Sequence, residues 1–400
     1  MKKIFIIIFL SFFALPVYGI ELDINSKNAI LYNLDEGTIL YEKAKDEKIA
    51  IASMTKIVTA IVSIENIENL DEQVTLTYAD FAGLVEANAS VAGFRVNQKL
   101  TYRDLLYGLL LPSGADAAQA LTRLVGGSHD NFIVLMNDFV RKLGLENTHF
   151  ENETGLDEEN HYSTVYDVAQ IFKYALQNPE FKKIISSSYY KTTDNLTSMQ
   201  SSVSGFIKRY NLEMSYVLGG KTGTTKNAGR CLASFASENG TNYLLVTARA
   251  GTSGIPENVM DAKTIYEYFI ENYENKTIIK ENDIVLSLDT KYATEEKIDF
   301  LADETIIKYL EKDFDQENLI FLYDGIEILT PKIEKNTRLG QLDIIYDNKK
   351  LATLDIILES DINFSIISFM KIHYFEIIGI ITFSLILIIV FSIMRKKKKI

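Results

Sequence analysis

Apolar positions recur along this chain with two periods, and the period changes in blocks. Ala29–Leu34 and Thr38–Tyr41 read as two strands joined at Asp35-Glu36-Gly37. Ser53–Ile64 carries apolar residues at helical spacing and predicts an amphipathic helix. Thr101-Tyr102-Arg103-Asp104 is a capping box that opens a helix through Leu110, ended by Pro112. Gly114–Val125 is alanine-rich and helical. Ser128 caps a helix through Leu143, closed by Gly144. Ser163 with Asp167 predicts a further cap, its helix running to about Leu176. Ile184–Ser204, rich in Ser, Thr and Tyr, reads as strands or loop. Val217–Gly220, Leu232–Phe235 and Tyr243–Ala248 read as strands of one sheet, with a hairpin turn at Glu238-Asn239-Gly240. Ala262–Tyr273 returns to helix. With helices in the middle and strands at both ends, the economical arrangement is an α+β domain over 20–275. Its terminal strands pair into one antiparallel sheet, and the helices pack on it.

The pattern then shortens. Segments such as Leu342–Tyr346 and Leu351–Leu358, separated by Asp347-Asn348-Lys349, predict a small all-β domain over 276–370. Both chain ends are apolar in a different way. Lys2 and Lys3 precede a short apolar run from Ile4 to Leu15, and Val17-Tyr18-Gly19 suits a signal peptidase. Residues 1–19 therefore read as a secretory signal. Ile377–Met394 is uncharged and long enough to cross a bilayer, which predicts a transmembrane helix over 375–394. Arg395 and Lys396–Lys399 follow, so residues 395–400 read as a basic cytoplasmic tail. The body of the chain is then extracytoplasmic, tethered by its C-terminus.

Composition narrows the choice of chemistry. The 400 residues are 47% hydrophobic and 24% charged, which is ordinary for folded domains. A net charge of -13 argues against nucleic acid as the partner. A single cysteine, Cys231, rules out an intrachain disulfide and reads as a buried small hydrophobe. No Gly-x-Ser-x-Gly elbow, phosphate loop or metal-spaced cluster is present. No cofactor or metal is expected. Acidic pairs such as Glu151 and Glu153 leave a two-carboxylate glycosidase open, although such pairs are usually solvated loops.

Ser53 and Lys56 lie three residues apart at a helix start, a spacing that puts both on one face. A serine hydroxyl needs a base to become a nucleophile, and a lysine with a lowered pKa can serve. The spacing alone decides nothing, since Ser188/Lys191 and Ser368/Lys371 repeat it. Two further stretches stand out. Ser113, in Leu111-Pro112-Ser113-Gly114-Ala115-Asp116, sits at a helix break where it serves either as a cap or in a cleft. Gly219-Gly220-Lys221-Thr222-Gly223-Thr224-Thr225 combines a cation, two hydroxyls and glycines that would let a substrate approach a strand edge.

Taken together and in this order, Ser53-x-x-Lys56, Ser113 and Lys221-Thr222-Gly223 resemble the signature of penicillin-binding proteins and serine β-lactamases. The surroundings are similar to those of low-molecular-mass D-alanyl-D-alanine carboxypeptidases. They include Ala52-Ser53-Met54-Thr55-Lys56, Leu110-Leu111-Pro112-Ser113-Gly114, and Ala228-Gly229 with Cys231. Phe150-x-Asn152-x-Thr154-Gly155-Leu156, continuing to His161-Tyr162-Ser163-Thr164 and Asp167, belongs with them, as does the β-rich stem around Leu339-Gly340-x-Leu342. The resemblance implies a penicillin-binding-protein-like catalytic domain. In it Ser53 is the nucleophile and Lys56 the base. Ser113 relays a proton, and Lys221, Thr222, Gly223 and Thr224 bind substrate. The implied partners are peptidoglycan stem peptides and β-lactams. One position departs: Ala115 stands where the family usually has the asparagine of Ser-x-Asn. The Ser-x-Asn triplets at Ser26 and Ser237 lie outside the interval and read as chance. No arginine for the substrate carboxylate is matched; Arg249 is only near the expected region. Two alternatives remain open: a β-lactamase, with a base from the Glu151/Glu153 loop, and a non-catalytic penicillin-sensing or wall-binding protein.

Overall fold

The computed structural model describes residues 20–252 and 254–397, so the signal-peptide expectation for 1–19 lies outside the described residues. The chain divides at Asn272/Tyr273 into two compact units.

In the first unit, β1 (Asn28–Asn33) and β2 (Thr38–Lys43) form the predicted hairpin. A 3₁₀ turn, Ala52–Thr55, leads into α1 (Lys56–Asn66). The regular helix therefore starts three residues later than the sequence suggests. A small ladder of β3 (Gln73–Thr75) and β4 (Lys99–Thr101) precedes α2 (Tyr102–Leu110), whose capping box at Thr101/Asp104 forms as expected. α3 (Ala115–Gly126), α4 (His129–Lys142) and α5 (Val165–Ala175) follow. The cap of α5 is Thr164, whose hydroxyl accepts from the Asp167 amide. Ser163 instead bonds Thr148, because an N-cap oxygen reaches the amide three residues on and not four. Within 184–204 the structure has more helix than expected. α6 (Pro179–Ile185) starts on an Asn178 cap, β5 (Tyr189–Lys191) pairs β6 (Ser198–Gln200), and α7 (Ser202–Arg209) starts on a Ser201 cap.

β7 (Val217–Thr225), β8 (Gly229–Glu238) and β9 (Thr241–Ala250) then form a meander, followed by α8 (Glu257–Asn272). Asn239 and Gly240 both take positive φ, as a tight two-residue hairpin turn requires. The sheet order is β2-β1-β9-β8-β7, all antiparallel, with β9 at its centre, the N-terminal strand β1 beside it, and β7 at one edge. Six consecutive positions of β8 and of β9 are buried, so both sheet faces are covered. α5 packs on β1 and β9, and α8 on β8 and β9. Ile30, Phe235, Leu244 and Val246 join Ile57, Ile61, Leu105, Leu121 and Phe172 in one core. This core fixes α1, and through it the Ser53 turn, beneath edge strand β7.

The second unit is all-β apart from its C-terminal helices. β10 (Tyr273–Ile279), β11 (Ile284–Thr290), β12 (Lys297–Leu301) and β13 (Ile306–Glu311) form two pairs, β10–β13 and β11–β12. β14 (Ile320–Gly325), β15 (Ile328–Leu329), β16 (Arg338–Tyr346) and β17 (Lys349–Ile357) complete it, with β15 parallel to β11 and β14-β16-β17 antiparallel. The predicted turn at Asp347-Asn348 has both residues at positive φ. α9 (Ile366–Ile372) and α10 (Tyr374–Lys397) close the chain. Tyr374–Arg395 is long and apolar enough to cross a membrane, with none of it buried.

Candidate active site

The Ser53 turn is built under constraint. Ala52 takes φ 48°, outside the comfort of a residue with a side chain, and the 3₁₀ geometry that follows nearly eclipses residues three apart. Lys56 Nζ consequently lies 3.1 Å from Ser53 Oγ and donates a second bond, 2.6 Å, to the Thr154 carbonyl. Lys56 is 2% exposed. Burial lowers its pKa to about 8, against the pull of Glu153 and Asp116, so an appreciable neutral fraction exists near neutrality. Among the described residues, no such bond joins Ser188 to Lys191 or Ser368 to Lys371.

The loop that supplies Thr154 is organised by Asn152. Its Oδ1 accepts from the amides of Thr154, Gly155 and Leu156 and from the Thr154 hydroxyl. Gly155, at φ 81°, presses so closely on Ala52 that a Cβ there would lie 2.0 Å from the Ala52 carbonyl oxygen. His161 holds the other side. Its Nδ1 accepts from the Glu151 and Asn152 amides, so Nε2 carries the proton and donates to Thr55 Oγ1 at 2.8 Å. Burial drops its pKa to about 4, which keeps it neutral in this role. Glu151 accepts from the Asn160 amide, and the Glu153 carboxylate lies 3.3 Å from His129 Nε2. Neither side chain bonds Ser53 or Lys56.

Ser113 occupies the break between α2 and α3 at φ 68°. It is 7% exposed, and its Oγ has no hydrogen-bond partner among the described residues. Asp116 ties this break to the 92–94 loop by accepting from the amides of Ala92, Gly93 and Phe94. Ala115, in the place of the expected amide, donates its own N–H to the Ser90 carbonyl and is buried.

β7 forms the facing wall. Lys221 is fully buried, and Nζ donates to the Thr222 carbonyl at 2.7 Å. Burial first, and the Lys56 charge second, push its pKa well below the usual lysine value. Gly223 meets the Ser53 turn directly. A Cβ there would lie 2.8 Å from Ser53 N and 2.9 Å from Ala52 Cβ. The neighbouring glycines serve similar contacts: Cβ atoms at Gly219 and Gly220 would strike the Ile185 and Ala233 carbonyl oxygens at 2.4 and 2.5 Å. These glycines are therefore demanded by the protein's own backbone, whereas the sequence suggested approach by a substrate. Thr222 Oγ1 pairs with Ser202 Oγ at 2.7 Å, and the Ser202 amide donates to the Leu111 carbonyl at 3.1 Å. Ser202 thus links the Ser113 break to β7. Sequence reading missed it, since it lies in the Ser/Thr-rich stretch with no spacing to mark it.

Arg249 does not face this wall. It sits at φ 59° and pairs with Glu47, on the far side of β9 from β7. Arg230 on β8 is in register with Thr224, and its guanidinium is held by the Thr252, Gly254 and Ile255 carbonyls. Cys231 is fully buried, with its thiol pushed up to about 12, and takes no part. Among the described residues no group of His, Cys, Asp and Glu is arranged to hold a metal.

A family profile described as D-alanyl-D-alanine carboxypeptidase matches residues 17–252, and one described as penicillin-binding protein 5, C-terminal domain, matches 273–363. The chain is 28% identical over 347 residues to the D-alanyl-D-alanine carboxypeptidase DacF of Bacillus subtilis (strain 168), covering 85% of this chain and 87% of that one. It is 36% identical over 252 residues to a D-alanyl-D-alanine carboxypeptidase of Streptomyces sp. (strain K15), covering 59% and 84%. Among solved structures, penicillin-binding protein 5 from Haemophilus influenzae superposes with a TM-score of 0.64 over 86% of this chain and 99% of that chain. At 23% identity that likeness speaks for the fold alone. The Streptomyces K15 DD-transpeptidase superposes with a TM-score of 0.55 at 33% identity, covering 61% and 97%.

Proposed function

The chain belongs to the D-alanyl-D-alanine carboxypeptidase family, and on that premise we propose that Ser53 attacks the peptide bond between two terminal D-alanines of a peptidoglycan stem peptide. The activity is that of a serine-type D-Ala-D-Ala carboxypeptidase. The observation that carries the assignment of residues is the 3.1 Å contact between Ser53 Oγ and a buried Lys56 whose pKa is lowered. Neutral Lys56 takes the hydroxyl proton as Oγ adds to the carbonyl. The oxyanion is received by the backbone N–H groups of Ser53 and Thr224, on the turn and strand that Gly223 lets close together. Losing one such donor costs roughly 100-fold or more in rate. The unpartnered hydroxyl of Ser113, with Lys221, passes the proton to the departing amine of D-alanine. The C–N bond breaks, and an ester on Ser53 remains for water to hydrolyse. Thr222 and Thr224 donate to the substrate carboxylate, with Lys221 and Arg230 supplying positive charge. A β-lactam follows the same path until ring opening, where its leaving group stays attached and the ester persists.

Glu151 is held by Asn160, and neither Glu151 nor Glu153 bonds Ser53 or Lys56, which supports slow hydrolysis of that ester over β-lactamase turnover. Ala115 offers no amide to the acyl side of the substrate, so selection among acyl donors falls to the remaining backbone. The C-terminal apolar helix is a candidate membrane anchor. With the basic tail inside, the catalytic unit lies on the outer face, beside the wall. Mass mapping of a penicillin adduct tests the assignment. The adduct is expected on the Ser53 peptide and absent in Ser53→Ala, while Ser188→Ala and Ser368→Ala keep it. Labelling that survives Ser53→Ala refutes it.

A further inference from the structure

One buried charge beside the base takes no part in the acylation steps. Glu153 lies on the loop that receives Lys56, one residue before Thr154. That loop grips α1 twice. Lys56 Nζ donates to the Thr154 carbonyl at 2.6 Å, and Thr59 Oγ1 donates to the Glu153 carbonyl at 2.7 Å. Lys56 and Thr59 are three residues apart, so the loop backbone is pinned along one face of the helix. The Glu153 side chain is buried with it. It is 4% exposed, and among the described residues its Oε2 has no hydrogen-bond partner. A buried carboxylate without a bond is costly, and one kept only for structure would be bonded. What faces it is charge. His129 Nε2, at the start of α4, lies 3.3 Å from Oε2, and the ring is half exposed. On the α1 side the carboxylate acts on the Lys56 amine.

The Glu153 carboxylate favours the charged form of Lys56 and so works against the burial that depresses its pKa. Asp116 of α3 adds to it more weakly. Lys221 faces the amine from β7 with like charge, and His161 faces it from the same loop as Glu153. These three are buried. His129 is the member of the group that meets water. Its other ring nitrogen lies 3.4 Å from the Asp130 carboxylate, which is fully exposed. Imidazole is the side chain that changes charge between pH 5 and 8. A protonated ring at 3.3 Å offsets the field of Glu153, and a neutral ring leaves that field whole. The sign follows. As pH falls the ring gains charge, the pull of Glu153 on the Lys56 proton weakens, and more of the amine stays neutral than Glu153 alone would allow.

We propose that Glu153 and His129 are a positioning pair for the base: the buried carboxylate holds the proton on Lys56, and the His129 ring, once protonated, releases part of that hold. The proposal rests on Lys56 being the base. Acylation by a fluorescent penicillin is followed from pH 5.5 to 9.5 for the full-length native chain, Glu153→Gln and His129→Gln, with thermal unfolding recorded beside it. Glu153→Gln keeps the shape of the side chain and removes its charge. Its rate midpoint is expected about one pH unit below the native midpoint, the low end of what a nearby opposite charge does. Its rate at pH 6 is expected to be about three- to tenfold above native, since more of the amine is neutral there while the weaker base works less well. His129→Gln leaves the carboxylate without its offset, so its ratio of rates at pH 6 and pH 9 is expected to fall about threefold below the native ratio. A native rate that is flat from pH 6 to 9 overturns Lys56 as the base, and the pair with it. A native rise with the Glu153→Gln midpoint in the same place overturns the pair and leaves Lys56 standing. A uniform loss at every pH with a lowered melt makes Glu153 structural and also overturns the pair. If Glu153→Gln does not fold, His129→Gln at the half-exposed rim decides, and an unchanged ratio overturns the proposal.

Discussion

Gly223→Ala isolates the geometric heart of the site. Gly223 does not sit at positive φ, so alanine brings no backbone penalty; the only obstacle is space. The new methyl would lie 2.8 Å from Ser53 N, 2.9 Å from Ala52 Cβ and 3.3 Å from the Ile51 carbonyl oxygen. Carbon contacts settle at about 3.5–4.0 Å, so β7 and the turn must part by roughly 0.6–1 Å. β7 is an edge strand and can yield outward, and overpacking of this kind costs about 1–3 kcal/mol. In a unit of this size, 2 kcal/mol lowers Tm by about 4–8 °C. The chain therefore folds, but the Ser53 and Thr224 amides no longer converge on one oxygen. A displacement near 1 Å costs about 100-fold. Acylation by a fluorescent penicillin, followed beside thermal unfolding by circular dichroism, should show a drop of about that size in the second-order rate constant with a cooperative, slightly lowered melt. Gly205→Ala is the control, because its Cβ would meet nothing within 4 Å on α7; it should gain roughly 0.5–1 kcal/mol and acylate normally. A Gly223→Ala rate within threefold of the native rate would refute the close approach as a condition of catalysis.

Three further outcomes follow from the same geometry. Because burial holds Lys56 at about 8, acylation should rise with pH as the amine loses its proton and level off above that value; a rate flat from pH 6 to 9 would remove Lys56 as the base. His161 titrates near 4 in the fold against about 6.5 unfolded, so its share of stability is complete above 6.5 and is lost as pH falls toward 4. At pH 5 the loss is roughly 2 kcal/mol, read as a lower urea midpoint, and His161→Gln should flatten that part of the pH dependence; an unchanged slope would place the titration elsewhere. Ser202→Ala deprives Thr222 of its 2.7 Å partner, worth about 1 kcal/mol, so KM for a pentapeptide should rise roughly fivefold with kcat within about twofold; equal loss in kcat would mean that Ser202 supports the chemistry itself.

What the sequence made legible was whatever is encoded within one turn of chain. The pairing of Ser53 with Lys56, the Thr101/Asp104 box and the Asn239-Gly240 and Asp347-Asn348 turns are all local, and each forms. That the Ser113 break is tied to β7, and β7 to the Ser53 turn, could be reached only through the order of three stretches, because Ser202 makes the first link and the close approach at Gly223 the second. Contacts that join distant segments carried no local mark. Ser202 on Thr222, Thr154 on Lys56 and His161 on Thr55 span 20, 98 and 106 positions. The glycines of β7 were visible, but their reason was not, since a sequence does not show which backbone passes beside a strand. The Asn178 cap and Pro179 that start α6 went unread, because the serines and tyrosines that follow give the stretch the composition of a loop.

The central claim is that Ser53 carries the hydrolysis of a terminal D-alanine. Purified full-length protein is incubated with a stem pentapeptide ending in D-Ala-D-Ala, and free D-alanine is quantified for the native chain and for Ser53→Ala. The account predicts stoichiometric release of one D-alanine per peptide by the native chain and none above background by the variant. Release by Ser53→Ala at the native rate, or penicillin labelling of the native chain with no D-alanine released, would contradict it.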